Sequence, residues 1–364
     1  MKKIPIYEPY LVGNERKYVL DCLDSNWISS RGSYVEKFEL AFSKYIGSVK
    51  STSCSNGTVA LHLALLALGI GDGDEVIVPS FTYVASVNAI KYVGAKPVFV
   101  DCDQDSWNTS LTDIEGAVTS ATKAIMCVHI YGVPCDILSI IQFARANGLK
   151  VIEDCAEALG SRVNDIHVGS LSDISTFSFF GNKTITTGEG GMVVSREPEL
   201  IERVAHLKSQ SVSPTIPYWH DCLGYNYRLT NIAAAIGLAQ LENIGLILSR
   251  KQEIANQYRE RLEPLGAKFQ RVKASDVSSN WLNVALMPSD VARNSVLDTL
   301  SQNNIEIRPA FPLVSKMPHY LDLELRDFPV GEKIGTLALC LPSFPALADE
   351  DICWICDLIT DELS

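Results

Sequence analysis

The sequence predicts an α/β fold: a mostly parallel, seven-stranded sheet covered on both faces by helices, followed by a smaller α+β region. Three observations carry this expectation. The first 200 residues alternate short β-branched runs with longer helical patterns, which is the alternation that builds parallel sheets. Around 209–221 the alternation breaks off. A long helical stretch, 231–262, then leads into 263–364, where short strands, helices and many prolines mix. The expected division is a large domain over 1–240, N-terminal segment included, and a small C-terminal domain over 241–364.

The strand candidates, in order, are 49–54, 75–80, 96–101, 124–130, 149–154, 174–179 and 190–195. Helices fall between most of them. Residues 58–68 are apolar on every side, as a helix buried all round must be. Residues 82–92 and 137–147 are further helices. The segment 209–221 holds two prolines and the aromatic run Tyr218-Trp219-His220, the composition of a functional loop.

Composition excludes several classes of function. Apolar residues make up 47% and charged residues 20% of the 364, an ordinary globular balance. A chain of this length buries roughly three quarters of its unfolded surface, so it needs no covalent staples. The net charge of −12 argues against general nucleic-acid binding, which requires clustered Lys and Arg, but leaves room for one small anion. No apolar run approaches the length that spans a membrane. The N-terminal Met1-Lys2-Lys3-Ile4-Pro5 lacks the apolar stretch of a signal peptide. Ten cysteines, several inside apolar runs such as Ile125-Met126-Cys127-Val128, read as buried free thiols of a cytoplasmic protein. Cys353-Trp354-Ile355-Cys356 has metal or redox spacing, but no second such pair accompanies it. One turn of a helix is the expectation, and no metal site is expected.

Three segments at strand ends carry the chemistry. Ser55-Asn56-Gly57-Thr58 joins the first strand to the buried helix; its small residues suit either an anion on the helix N-terminus or a plain turn and cap. Asp154 ends an apolar strand, where it faces a cationic ring nitrogen or caps the next turn. Lys183 follows an aromatic strand, where desolvation favours a neutral, nucleophilic amine; the alternative is a surface lysine. No GxGxxG or Walker pattern accompanies them, which argues against a dinucleotide-dependent oxidoreductase. An anion site, a strand-end Asp and a late Lys, in that order, are the parts that a pyridoxal 5'-phosphate (PLP) enzyme needs.

Five segments extend that set: Ser55 to Leu61, Val78 to Tyr83, Glu153 to Ala158, Ser178 to Gly191, and Gly224 to Thr230. With them the chain resembles, over essentially its whole length, the DegT/DnrJ/EryC1/StrS family of nucleotide-sugar aminotransferases, in the aspartate-aminotransferase fold of type I PLP enzymes. The resemblance implies that Lys183 holds PLP covalently and that Asp154 pairs with the pyridine nitrogen. Gly57, Thr58 and Ser178 then bind the phosphate, and Tyr83 stacks on the ring. Glu157 stands near the ring hydroxyl, where the family often has Gln or His. Asn226 reaches the phosphate from the partner subunit, which makes a homodimer the working unit. Arg228, beside it, is a cofactor contact or an interface salt bridge.

A branch of this family has His in place of the lysine and dehydrates its substrate; Lys183 implies transamination instead. L-Glutamate is then the amino donor, the cofactor cycles through pyridoxamine 5'-phosphate, and the acceptor is a keto group on a nucleotide-linked hexose. The run Phe179 to Thr186, with Tyr7-Glu8-Pro9 and Trp27 to Gly32, is most similar to the branch that aminates C4 of GDP-4-keto-6-deoxymannose for surface polysaccharide. Trp27, Arg31, Tyr218, Trp219 and His220 are the candidate sugar and pyrophosphate contacts, core packing being the alternative for Trp27. The remaining histidines, 62, 129, 167, 206 and 319, read as structural. Related enzymes follow Arg-Pro with Phe-Tyr-Pro-x-His; here Arg308-Pro309 is followed by Ala310-Phe311-Pro312-Leu313 and no such His. That departure keeps a dTDP-4-keto-6-deoxyglucose 4-aminotransferase as the alternative.

Overall fold

The computed structural model describes residues 3–47, 50–321, 323 and 326–363. Val49, which opens the first predicted strand, and Met1 and Lys2 lie outside the described residues. All seven predicted strands form one sheet: β1 (Lys50–Cys54), β2 (Glu75–Pro79), β3 (Lys96–Val100), β4 (Thr122–Val128), β5 (Lys150–Asp154), β6 (Ile174–Ser178) and β7 (Gly191–Ser195). Their order across the sheet is β1-β7-β6-β5-β4-β2-β3. Only β7 is antiparallel to its neighbours, so the other six strands end on one edge.

The pleat sorts side chains between two cores. Val76 and Val78 enter one cluster while Ile77 enters the other; Ala124 and Met126 likewise part from Ile125 and Cys127. Both faces are therefore apolar, which is why these strands read as continuous hydrophobic runs. One face packs on the buried helix Gly57–Ala67, and the other on Phe38 and Phe42 of the helix Ser33–Ile46. The helices Val84–Tyr92 and Ile137–Ala146 lie within two residues of their predicted bounds.

Two expectations are corrected. The stretch 231–262 is two helices, Asn231–Glu242 and Ile244–Leu262, meeting at a 62° bend. Asn243 makes the break. Its φ/ψ of −109°/10° leaves the helical region, and its side-chain amide donates to Ala239 O at 3.0 Å, in competition with the backbone. The predicted strand 124–130 stops at Val128, because Ile130–Gly132 forms a 3-10 turn with Tyr131 at φ 53°. Among the described residues, no single helix is long and apolar enough to cross a membrane.

Beyond the bend a third cluster gathers Tyr258, Ala285, Met287, Leu300, Leu339 and Ile355 around an antiparallel three-stranded sheet. Its strands are Asn283–Leu286, Ala338–Leu341 and Arg308–Pro309. The chain's beginning belongs here too: Ile4 pairs with Ile305 and is buried in this cluster. Cys353 and Cys356 lie on the helix Asp349–Leu363, and Cys353 Sγ accepts from the Arg261 guanidinium at 3.1 Å.

Phe42 links the helix Ser33–Ile46 to the strand that leads to Lys183. It is fully buried, with Phe177 and Phe179 at 5.0 and 5.5 Å between ring centres. Phe42→Ala leaves a cavity there, and urea unfolding should register a loss of about 3–5 kcal/mol.

Candidate active site

The site lies where the parallel strands end, the edge at which open α/β sheets bind ligands. β1 ends at Cys54, and Asn56 caps the next helix by accepting Val59 N–H at 3.0 Å. The amides of Gly57 and Thr58 stand in the first helical turn, where no intrahelical acceptor exists. Gly57 is required by packing: a Cβ there would come within 2.7 Å of the Ser178 Cβ. The end of β1 and the end of β6 thus meet at van der Waals distance, which brings Gly57, Thr58 and Ser178 together.

Asp154 ends β5 and is 4% exposed. The capping reading describes it. Oδ1 caps the following turn by accepting Ala156 N–H at 3.1 Å, while Oδ2 accepts the Ser86 hydroxyl at 2.8 Å. Burial raises its pKa above the ordinary value, against the pull of those two donors and of Lys183. Its neighbour Glu153 points to the opposite core. There it accepts from Gly169 N–H at 2.9 Å and Ser172 N–H at 3.1 Å, and lies 3.1 Å from His129 Nε2. His129 Nδ1 takes Cys135 N–H at 3.0 Å, which leaves Nε2 as the protonated nitrogen facing Glu153. His129 is structural, as the sequence reading has it.

Lys183 is half-buried, with Nζ 3.8 Å from the centre of the Trp281 ring. Its pKa is lowered by desolvation, which the carboxylates of Glu157 and Asp154 oppose. Glu157 is 3% exposed and its carboxyl is pushed up to about 7 by burial, against the Lys183 charge and Tyr131 N–H, which it accepts at 2.6 Å. The backbone of Lys183 is held as well. Trp281 Nε1 donates to Asn182 O at 2.6 Å, and the Tyr7 hydroxyl donates to Lys183 O. An amine with lowered proton affinity sits beside two buried carboxyls, as nucleophilic and proton-transfer chemistry needs.

Aromatic rings form the wall. Tyr131 stacks on Phe311 at 5.0 Å and on Trp281 at 6.1 Å, and Tyr83, 55% exposed, lies 5.7 Å from Phe311. Phe311 stands in the run Ala310-Phe311-Pro312-Leu313 that follows Arg308-Pro309. Its N–H meets the Tyr131 hydroxyl at 3.0 Å, and Val314 N–H bonds Ser80 O at 2.9 Å.

Other candidates stand apart from Lys183. Asn226 is exposed and accepts the Arg228 guanidinium at 3.1 Å; among the described residues Arg228 has no carboxylate partner, and its Nε is buried without one of any kind. Ser55 N–H bonds Tyr227 O at 2.8 Å, so this segment flanks the Gly57 turn. Trp27 is 55% exposed rather than packed in the core. With Arg31, Asp21, Tyr34 and Asn231 it lines a separate cavity of about 420 Å³. Tyr218 is 99% exposed and Trp219 57%, and His220 Nδ1 lies 2.7 Å from Gln210 O.

Sequence reasoning missed Tyr131, Trp281, Phe311 and Ser86 as parts of the site. Tyr131 follows a strand end and was detectable there. Trp281 lies 98 residues from Lys183 with no local pattern around it. The residues present fit PLP: an amine with lowered proton affinity, a strand-end carboxyl, and helix amides behind a glycine that no larger residue replaces. Asn182 Oδ1 and Arg228 Nε add two buried polar atoms without partners among the described residues.

The model of the DegT/DnrJ/EryC1/StrS aminotransferase family matches residues 9–360. The chain is similar to GDP-perosamine synthase of Escherichia coli O157:H7, at 50% identity over 361 residues, 99% of each chain. It is similar to GDP-perosamine synthase of Vibrio cholerae, at 47% identity over 359 residues and 98% of each. Among solved structures it is similar to the aminotransferase TlmJ of Streptoalloteichus hindustanus, with a TM-score of 0.94 at 29% identity, over 99% of this chain and 98% of that one.

The raised pKa of Glu157 makes stability depend on pH. Its folded value of about 7 lies above the ordinary 4.5, so the folded chain binds the proton more tightly. That stabilisation is fully present below the unfolded value and is lost as pH rises through about 7. Glu157→Gln should flatten this decline, on the order of a few kcal/mol, in urea unfolding of the cofactor-free chain at a series of pH values.

Proposed function

The chain belongs to the DegT/DnrJ/EryC1/StrS aminotransferase family, whose cofactor is PLP, and on that premise we propose that it is a GDP-perosamine synthase. In this reading it transfers the amino group of L-glutamate to C4 of GDP-4-keto-6-deoxy-D-mannose, a step in surface-polysaccharide synthesis. The observation that carries it is the cluster of half-buried Lys183 with the buried carboxyls of Asp154 and Glu157, in a chain that matches two enzymes of that name over nearly its whole length. The dTDP-sugar alternative is not favoured.

The roles are those that the family resemblance implies, and the chemistry of each residue suits them. The bound cofactor supplies an electron sink for breaking the C–H bond at the amino-bearing carbon. Lys183 is the attachment point and the base that moves this proton, and its lowered proton affinity suits it to do so near neutral pH. Asp154 would keep a negative charge for the ring nitrogen; a cation there would offset the burial that raises its pKa in the cofactor-free chain. Ser86 fixes the orientation of that carboxylate through Oδ2. Gly57, Thr58 and Ser178 would hold the phosphate with amides and a hydroxyl, and Tyr83 would supply an aromatic contact to the ring. Glu157, a carboxyl that accepts from Tyr131 N–H, would serve the ring hydroxyl.

A homodimer is part of this reading. Asn226 is exposed, and Trp27, Tyr218, Trp219 and Leu223 expose apolar surface that a second copy would cover. Asn226 and Arg228 then complete the partner's phosphate site, and Trp27, Arg31, Tyr218 and His220 contact the sugar nucleotide.

Two assays with L-glutamate, one with GDP-4-keto-6-deoxymannose and one with dTDP-4-keto-6-deoxyglucose, test the substrate. Release of 2-oxoglutarate with the GDP-sugar, and an amino sugar identified by mass and NMR, is expected; turnover of the dTDP-sugar alone contradicts the reading. Lys183→Ala should lower the rate by at least about 10²–10⁴-fold, the usual worth of a positioned proton-transfer group.

A further inference from the structure

Lys251 is fully buried in the middle of the helix Ile244–Leu262. Its Nζ donates to Ser343 O at 2.8 Å and to Trp281 O at 2.9 Å, with Asn280 O at 3.5 Å. An ammonium has three donors and no acceptor, so three carbonyls match its charged form. A neutral amine would instead turn a lone pair toward one of them. Burial opposes the charge, pulling Lys251 down to about 7, and the carbonyls supply the compensation.

The groups that Lys251 holds are the groups that hold Lys183. Trp281 carries one of its acceptor carbonyls, donates its indole N–H to Asn182 O at 2.6 Å, and lies under Lys183 Nζ. Ser343 carries another, and its N–H bonds Ile6 O at 3.1 Å. The next residue, Tyr7, donates its hydroxyl to Lys183 O, and its ring centre is 5.3 Å from Lys251 Nζ. Two consecutive carbonyls, those of Asn182 and Lys183, are therefore gripped by two aromatic residues that share one buried cation behind them.

We propose that Lys251 is a positioning residue for Lys183: through Trp281 and Tyr7 it fixes the Asn182–Lys183 backbone so that the Lys183 amine stays over the indole face. The kinetic part of this inference rests on Lys183 being the reactive amine; the positional part does not. The indole face favours the ammonium form of Lys183, so moving the ring away lowers the proton affinity of that amine. Removing a nearby positive charge has the opposite effect and raises it. The sign of the shift therefore separates positioning from a field effect, which a merely structural role would not produce.

Competitive acetylation of the cofactor-free chain, followed by peptide mass spectrometry, reads the titration midpoint of Lys183 directly. Lys251→Met should lower that midpoint by about half a unit or more. Trp281→Leu should shift it in the same direction, and the double variant should add little, because both changes break one linkage. An upward shift in Lys251→Met, or none in a variant that retains native circular dichroism, overturns the proposal. If Lys251→Met does not fold, Trp281→Leu and Tyr7→Phe, which leave the carbonyls of Lys251 in place, carry the test, and an unshifted Lys183 in both overturns it. With the loaded enzyme, Lys251→Met should cut kcat by about tenfold to about 100-fold, with KM for L-glutamate within about twofold. Should the chain turn over no keto-sugar, the acetylation result still decides the matter, so the two readings fail separately.

Discussion

An amine placed beside two buried carboxyls must be held still, because its proton affinity depends on where each neighbour stands. Lys183 is in this position with Asp154 and Glu157. Desolvation pushes the amine toward neutrality and both carboxyls toward protonation, while attraction between the amine and the carboxylates pulls toward charge; Asp154 itself pushes Glu157 toward protonation. Desolvation prevails at all three groups, and the opposing attraction depends on the distances between them. The surrounding structure supplies that fixity: Ser86 and Ala156 hold Asp154, Tyr131 N–H holds Glu157, and Trp281 and Tyr7 hold the backbone at Lys183.

The sheet determines where this cluster forms. Six of its seven strands run parallel, so the ends of β1, β2, β5 and β6 converge on one edge with their loops. The close approach of Gly57 to Ser178 joins two of these ends, and the aromatic stack of Tyr131, Phe311 and Trp281 brings in the C-terminal part of the chain. Lys251 lies behind that stack. This edge is thus closed by residues from the beginning, the middle and the end of the sequence, although Lys183, Asp154 and Glu157 all sit on the strand-rich half.

How far each feature was legible follows the range of the interaction that makes it. The seven strands were legible because each core selects alternate residues on a strand and both cores are apolar, a signal contained in five to seven residues. Lys183, Asp154 and Gly57 were legible for a similar reason: each sits at a strand end or within five residues beyond one, and that signal is local. The bend at Asn243 was harder to read, since an asparagine within a helical pattern competes only when its side chain turns back on Ala239. Core packing, the alternative for Trp27, does not hold: its side chain is 55% exposed and lines a cavity with Asn231, about 200 residues away.

The sequence by itself determined the fold class, the order of the strands along the chain, the residues at their ends, and through five ordered segments the family. These follow from periodicity and from motifs a few residues long, where the physical cause is local. Only the tertiary structure decided the order of strands across the sheet and the contact of Ser178 with Gly57. It alone placed Trp281, Phe311 and Lys251 around Lys183, and it alone gave Glu157 a buried carboxyl with a raised pKa. Burial, ring stacking and proton affinity depend on which distant groups exclude water from a given atom, and residues 98 positions apart carry no local mark of that meeting.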